Sequence, residues 1–150
     1  ALTRDNFRRL LDPVLGRGDF LLNVSVDVSS IALIKYCWEK GAMYLDTCIE
    51  PWPGGYTDPG MPAARRTNYA LREEALALRA GNAKAPTAVL THGANPGLVS
   101  HLVKKAMLNI AADTGHALER EPATREEWGQ LARGLGIKTI HIAERDTQVS

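Results

Sequence analysis

The sequence has little cysteine and almost no excess of either charge. Its 150 residues contain two cysteines, Cys37 and Cys48, and 18 lysines and arginines against 17 aspartates and glutamates. Two cysteines are too few for a disulfide scaffold. A net charge of +1 gives no support to nucleic-acid binding, which depends on an excess of basic residues. We therefore expect a cytoplasmic protein that does not bind nucleic acid.

Long hydrophobic runs are also missing. The longest segment without a charged side chain, residues 85–103, contains polar residues and two prolines, so it does not predict a membrane-spanning helix. Charged residues from Arg4 to Arg9 interrupt any apolar core of a signal peptide. The sequence begins at Ala1 without a methionine, and we therefore expect an interior segment of a longer protein with no membrane association.

Several common catalytic motifs are absent. Gly16-x-Gly18 lacks the third glycine of a dinucleotide-binding turn and precedes a predicted strand instead of a helix. Neither a phosphate-binding loop nor the Gly-x-Ser-x-Gly of α/β-hydrolases occurs. The four histidines are scattered, and no cysteine or histidine spacing fits zinc. We therefore expect no metal site.

The sequence does contain alternating helix and strand patterns, in an ordinary globular composition of 45% apolar and 23% charged residues. Apolar spacing and capping residues predict helices over 4–15, 30–40, 68–80, 96–110 and 125–135. Runs rich in β-branched and aromatic residues predict strands over 20–26, 43–47, 87–91 and 138–143. Strands that alternate with helices indicate an α/β fold with a parallel sheet, and the first strand is apolar enough to be buried on both faces.

Ligands of such sheets bind beyond the carboxyl ends of the strands. This rule selects residues 27–30, 47–52 and 91–97. Asp27 belongs either to the cap region of the following helix or to a turn that faces a cofactor. Glu50 and Trp52 suit a cationic ligand through ion pairing and cation–π contact, or else belong to an ordinary surface loop. The proline-rich segment 51–63 is long enough to be a lid or binding loop.

The third selected segment joins a strand to a predicted helix start. Gly93 allows close backbone approach, and Asn95 with Pro96 predicts a helix N-terminus whose free N–H groups suit an anion or amide. The alternative is a capped helix after a glycine turn. Glu144 follows the last predicted strand beside Arg145 and Asp146, where a solvated charge cluster is the alternative to a site.

Six segments together resemble bacterial homospermidine synthases, which belong to the saccharopine dehydrogenase-like group. They are NVSVDVSS (23–30), YLDTCIEPWPGGYTDP (44–59), RTNYALREEAL (66–76), THGANPGLVSHLVKKAM (91–107), EPATREEWGQLA (121–132) and IHIAERDTQ (140–148). The Gly-Ala-Asn-Pro-Gly turn is shared across the wider group. The Glu-Pro-Trp loop and the last two segments point to the synthases.

The resemblance implies the second half of a Rossmann-like parallel sheet followed by the start of an α+β substrate domain. Residues 1–95 would form the carboxyl-terminal half of a dinucleotide-binding domain. Residues 96–150 would begin the substrate and dimerisation domain. The full-length protein would be a homodimer, and the isolated segment would be inactive.

The implied activity is the NAD-dependent condensation of two putrescines to homospermidine and ammonia, by hydride removal, imine exchange and hydride return. Catalytic roles are implied for Glu50, Asn95 and Glu144. Contacts to putrescine and other polyamines are implied for Glu50, Trp52 and Glu144. Contacts to NAD are implied for Val26, Asp27, Val28, Thr47, Asn95 and Pro96.

Two other functions remain open at this stage. A saccharopine-type dehydrogenase using NAD or NADP would share the sheet and the Gly-Ala-Asn-Pro-Gly turn, but would need basic residues for substrate carboxylates. A truncated, non-catalytic or polyamine-binding domain would also fit, because a nucleotide site without its glycine turn should bind poorly. The Glu-Pro-Trp loop disfavours the dehydrogenase.

Overall fold

The computed structural model describes residues 1–80 and 82–144, which fall into two compact units, residues 1–96 and residues from 97 onward. Among these described residues, the first unit contains three strands, three α-helices and a short 3-10 helix, and the second contains two α-helices. In chain order these are α1 (Phe7–Leu11), β1 (Phe20–Asn23), α2 (Ser30–Lys40), β2 (Met43–Asp46), the 3-10 helix (Ala63–Arg65), α3 (Asn68–Leu78), β3 (Ala88–Val89), α4 (Leu98–Asp113) and α5 (Arg125–Gly134).

The predicted parallel sheet is confirmed. Its strands lie in the order β1-β2-β3, with Phe20 opposite Met43 in one pair and Tyr44 opposite Ala88 in the other. Each strand is followed by one of the segments predicted from the sequence to lie at the ligand edge, the edge of the sheet formed by the carboxyl ends of the strands. Because all three strands are parallel neighbours, these segments begin at the same edge of the sheet.

One face of the sheet is packed and the other is largely exposed. The packed face carries Tyr44 and Asp46 against a core that α2 supplies with Leu33 and Ile34. The other face leaves exposed Phe20, Leu22, Met43 and Val89. The expectation that the first strand is buried on both faces is therefore wrong for the described residues, since the helices of the first unit that are described cover a single face.

The ends of α2 follow the sequence prediction. Ser29 caps the helix by accepting a hydrogen bond from the Ala32 N–H at 3.3 Å, and Gly41 ends it in the left-handed conformation that glycine adopts without strain. Helix α1 is shorter than predicted because Pro13 cannot continue it. Helix α3 ends at Leu78, two residues before the predicted end at Ala80, and Gly81, predicted to stop it, lies outside the described residues.

Two predictions for the later part of the chain are wrong, one of a helix start and one of a strand. Helix α4 begins at Leu98 after Gly97, so Asn95 is not its cap. The Gly93 N–H instead donates to the Pro96 carbonyl at 3.0 Å, which turns the backbone back before the helix starts. Residues 138–143 form no strand among the described residues, and Ile140 and Ile142 are exposed.

The second unit is a pair of helices joined through a small apolar core. Met107 and Ala111 of α4 are buried against Leu131 of α5. The predicted capping box of α5 is confirmed: the Thr124 hydroxyl accepts from the Glu127 N–H at 3.2 Å, and the Glu127 carboxylate accepts from the Thr124 N–H at 3.1 Å. These reciprocal bonds satisfy donors that the first helical turn leaves open.

The capping box predicts acid sensitivity of α5. The hydrogen bond from Arg120, followed by those from the Ala123 and Thr124 N–H groups, lowers the pKa of Glu127 from 4.5 to about 2. A lowered pKa means that the charged form stabilises the fold above pH 4.5, and that this contribution is lost as pH falls towards 2. We expect Glu127→Gln, which keeps an acceptor oxygen but no charge, to be less stable than wild type at pH 7.

The difference in stability between wild type and Glu127→Gln should shrink as pH falls from 4.5 to 2. It is measured by urea unfolding, with amide exchange in α5 as the probe. Glu126→Gln is the matched control, because it removes an exposed carboxylate from the same turn without breaking a capping bond. A pH-independent difference between wild type and Glu127→Gln would contradict the assignment.

Candidate functional site

The segment after β1 places a polar turn at the ligand edge of the sheet. Asp27 is exposed and has a left-handed backbone with φ of 60°, which aspartate tolerates better than most residues. The cap of the following helix is Ser29, so the explanation of Asp27 as a capping residue is wrong. Its neighbours differ: Val26 is 76% exposed, whereas the Val28 side chain is buried in the core.

The segment after β2 fixes Glu50 to the first turn of α2. The Ser30 N–H donates to the Glu50 carbonyl at 2.9 Å, and the Glu50 N–H donates to the Ser30 hydroxyl at 3.0 Å. Ser30 is fully buried, and Ile49 is buried with Ile31 and Ala75. The backbone on both sides of Glu50 is therefore anchored, while the Glu50 side chain keeps partial access to solvent.

Tyr56, in the proline-rich loop, interacts electrostatically with Glu50 and Asp27, although it was not among the residues predicted from the sequence. Burial raises the pKa of Tyr56 to about 12, and the negative charges of Glu50, Cys48 and Asp27 add to this rise. Asp27 and Glu50, which follow different strands, therefore both act on the Tyr56 hydroxyl. Burial also raises the pKa of the Cys48 thiol, with further contributions from the charge of Glu50 and from a hydrogen bond with it. Asp27 and Glu50 thus bring two carboxylates to this edge of the sheet, which suits a cationic ligand.

The hydroxyl of Tyr56 also explains how the proline-rich loop is held. It lies 3.0 Å from the Ile49 carbonyl and 2.6 Å from Asn68 Oδ1, at the start of α3. The sequence carried one signal for this tyrosine, its place in the glycine- and proline-rich loop that follows Glu50. No spacing rule links it to Asn68.

The segment after β3 packs closely on the segment after β2. A β-carbon added at Gly93 would lie 2.7 Å from the Thr47 carbonyl oxygen and 3.1 Å from its Cβ. The predicted close approach at Gly93 is thus observed, with Thr47 as its partner. Asn95 and Pro96 follow at once and are exposed, at the end of the first unit.

Trp52 contributes to packing. Its ring lies 5.6 Å from that of Phe7, centroid to centroid, and it is partly buried against the main core. Beside it, a wide cleft of about 1630 Å³ runs between α1, α2, α3 and the proline-rich loop. Trp52 and Tyr56 are among the described residues that line this cleft, and Glu50 is not. The cleft is lined by basic side chains such as Lys35 and by acidic ones such as Glu39, so its charge gives no ground for placing a cationic ligand there.

The remaining predicted residue, Glu144, belongs to the second unit. It is exposed and lies in irregular structure at the end of the described residues. Its neighbours Arg145 and Asp146 lie outside the described residues, so the predicted charge cluster is not tested. The role of Glu144 stays a prediction.

Residues 1–80 and 82–144 contain neither a candidate metal site nor a candidate membrane-spanning helix. In that part of the chain, no group of three or more histidine, cysteine, aspartate or glutamate side chains is placed to hold a metal ion. No helix within the same ranges is long and apolar enough to cross a membrane.

Comparison with known families agrees with the fold of the first unit. Residues 1–90 match the family described as the saccharopine dehydrogenase NADP-binding domain, and this is more than half of the chain. The chain belongs to this family. In this NADP-binding domain family member, the match contains β1, β2, β3 and the segments that carry Asp27 and Glu50.

Similarity to individual proteins extends over 99% of this family member. It is 54% identical over 151 residues to a homospermidine synthase of Blastochloris viridis and 46% identical over 153 residues to one of Mesorhizobium japonicum. A crystal structure of a homospermidine synthase from Legionella pneumophila in complex with NAD matches with a TM-score of 0.79 and 47% identity. The chain spans 31% of the length of the two sequence relatives and 30% of the crystallised chain. The resemblance to homospermidine synthases inferred from the sequence motifs is thereby confirmed.

Proposed function

We propose that this chain is part of an NAD-dependent homospermidine synthase, which condenses two putrescines to homospermidine and ammonia. The observation that carries the proposal is the placement of two carboxylates at one edge of the sheet, because Asp27 and Glu50 follow the neighbouring parallel strands β1 and β2. A diamine carries positive charge at neutral pH, and carboxylates favour that charged form. The similarity to homospermidine synthases supports the same substrate class.

Glu50 is the residue that we assign to the cationic end of the substrate. Its backbone is held by Ser30 through two hydrogen bonds, so a carboxylate there keeps its position when a ligand binds. Glu144 is proposed as a further acidic contact to the polyamine, on the basis of the resemblance to homospermidine synthases. We assign to Trp52 the shaping of the loop that follows Glu50, through its packing on Phe7, and to Asn95 the boundary between cofactor and substrate.

The residues after β1 and β2 fit the nicotinamide half of NAD. Val26 exposes an apolar side chain directly beside the left-handed turn at Asp27, while the buried Val28 offers main-chain atoms alone. Thr47 packs against Gly93, where the missing side chain lets the segments after β2 and β3 approach each other closely. We assign the cofactor to these residues together with Asn95 and Pro96. When bound, NAD supplies a hydride acceptor that becomes the hydride donor.

Three further properties are part of the proposal. We propose that the full-length protein is a cytoplasmic homodimer, and that residues 1–95 and 96–150 contribute to its cofactor and substrate domains respectively. We also propose that the isolated 150 residues are inactive, because about two thirds of the length of the related synthases lies outside them.

The test of the proposed activity uses the intact protein that carries this sequence. It is incubated with putrescine and catalytic NAD⁺, with polyamines followed by mass spectrometry and NADH by absorbance. We expect homospermidine without lasting NADH. Accumulation of NADH without homospermidine, above all with saccharopine as substrate, would favour a saccharopine-type dehydrogenase. Absence of both products would favour a non-catalytic domain.

A further inference from the structure

A chain of buried polar side chains crosses the sheet beneath the candidate site. Asn23 ends β1, while Tyr44 and Asp46 belong to β2, and all three side chains are buried. The Asn23 amide nitrogen donates to the Tyr44 hydroxyl at 3.1 Å, and that hydroxyl donates to Asp46 Oδ2 at 3.0 Å. Since buried polar groups cost free energy unless they are satisfied, each member of this chain depends on the next.

Both ends of this series of hydrogen-bonded side chains reach a segment at the ligand edge of the sheet. At one end, Asn23 Oδ1 accepts from the Ser25 N–H at 3.2 Å, two residues before Asp27. At the other end, Asp46 Oδ1 accepts from the Thr91 N–H at 2.6 Å. The main chain of Asp46 adds a second bond, because its carbonyl accepts from the His92 N–H at 2.9 Å.

Thr91, which Asp46 holds, has a strained backbone. Its φ is +54°, and a β-branched residue in the left-handed region is an outlier that surrounding contacts must maintain. The strained residue is followed by Gly93, packed on Thr47, and then by Asn95. The conformation at Thr91 therefore decides the direction in which the chain leaves β3 towards the candidate site.

The carboxylate of Asp46 is an expensive group to bury. Burial raises its pKa, while hydrogen bonds from the Thr91 N–H, Ser30 and Tyr44 act in the opposite direction. An apolar residue at the end of β2 would avoid this cost, but could not bind the Thr91 N–H. Asp46 therefore makes its shortest hydrogen bond, of 2.6 Å, with the N–H of Thr91, the residue whose backbone is strained.

We propose that Asp46, oriented by Tyr44, is a positioning residue that holds Thr91 in the left-handed conformation and so places the turn leading to Asn95. The kinetic consequences of this inference rest on the proposed function. Its structural consequences do not, and the two are measured separately.

The kinetic test compares two buried tyrosines that each donate to an aspartate. In the intact protein, Tyr44→Phe removes the bond to Asp46, whereas Tyr36→Phe removes a 2.8 Å bond to Asp12 beyond the end of α1. Tyr44→Phe also removes the bond from Asn23, but only the bond to Asp46 leads to Thr91, and loss of one hydrogen bond corresponds to an effect of about 3- to 10-fold. We expect Tyr44→Phe to lower kcat for homospermidine formation by this factor with less than twofold change in the putrescine KM. Tyr36→Phe should leave both constants unchanged. Equal kinetics of the two variants would overturn the inference.

The structural test measures amide exchange of Thr91 and His92 by NMR or mass spectrometry. We expect protection from exchange to be strongest in the wild type, weaker in Asp46→Asn and weakest in Asp46→Ala, because asparagine keeps one oxygen for the Thr91 N–H. Tyr44→Phe should also lower this protection, and Tyr36→Phe should not. If the wild-type protein makes no homospermidine, the proposed function fails while this exchange pattern still decides the inference. Equal protection in wild type and Asp46→Ala would overturn it.

A rescue experiment separates positioning from general stabilisation. Glycine adopts the left-handed conformation without strain, so Thr91→Gly should lessen the need for Asp46. We expect Thr91→Gly to restore at least half of the kcat lost in Tyr44→Phe. A double variant that is no better than Tyr44→Phe would show that Thr91 is not the residue through which Tyr44 acts.

Discussion

Glu50→Gln should raise the putrescine KM of the intact protein by about 10- to 100-fold. The glutamine keeps the size of the side chain and the two backbone bonds with Ser30, but it removes the negative charge. Hydrogen bonds to charged groups contribute about 1.5–3 kcal/mol, which corresponds to the expected factor. Steady-state kinetics with varied putrescine at saturating NAD⁺ measure this effect.

The matched control for Glu50→Gln is Glu74→Gln. Glu74 is exposed on α3 in the same unit, outside the ligand edge of the sheet, so its replacement should leave the putrescine KM within twofold. Thermal unfolding of both variants would show whether the fold is intact. A Glu50→Gln protein with wild-type KM would remove Glu50 from the substrate site and with it the main support for a diamine at this edge.

Elements whose limits depend on neighbouring residues could be predicted from the sequence. Helix α2 begins after Ser29 and ends at Gly41, and the capping box of Thr124 and Glu127 opens α5. In each case the stabilising contact joins residues three or four positions apart, or depends on the conformational freedom of a single glycine. Such signals are present in any short window of the sequence.

Elements that depend on distant partners were predicted less well. The alternation of Ile140 and Ile142 suits a strand, but a strand forms only with a neighbour to pair with, and residues 137–144 pair with none in the described part of the chain. The start of α4 was missed for a different reason, since a local turn closed by the bond from Gly93 to Pro96 displaces it from the position that Asn95 predicts. The first error arises from the lack of a distant partner and the second from local backbone geometry, and apolar periodicity encodes neither.

The candidate site shows the same division. Glu50 and Asp27 could be selected because the carboxyl ends of parallel strands form the ligand edge whatever the sequence between them. Tyr56 and Asp46 could not, since their importance lies in contacts with Asn68 and Thr91, 12 and 45 residues away. Sequence reasoning thus located the edge, while the groups that shape it required the folded chain.

Gly93→Ala should lower both stability and activity, because the added methyl group meets backbone instead of a movable side chain. Its β-carbon would lie 2.7 Å from the Thr47 carbonyl oxygen, so either Thr47 or the turn after β3 must shift. Overpacking of this kind costs about 1–3 kcal/mol, and the shift falls on residues assigned to the cofactor. We expect that loss in the free energy of unfolding, measured with urea, together with at least a tenfold fall in kcat/KM.

Gly16→Ala is the control in the same unit. Its methyl group would approach Asp19 Oδ2 at 3.7 Å, an ordinary contact distance, before the start of β1. We expect a stability change within about 0.5 kcal/mol and unchanged kinetics. If Gly93→Ala kept the stability and kinetics expected of Gly16→Ala, the segments after β2 and β3 would be able to shift apart without loss of stability or activity. The close packing of Gly93 on Thr47 would then be incidental to the site, and the cofactor assignment of Thr47 would lose its structural support.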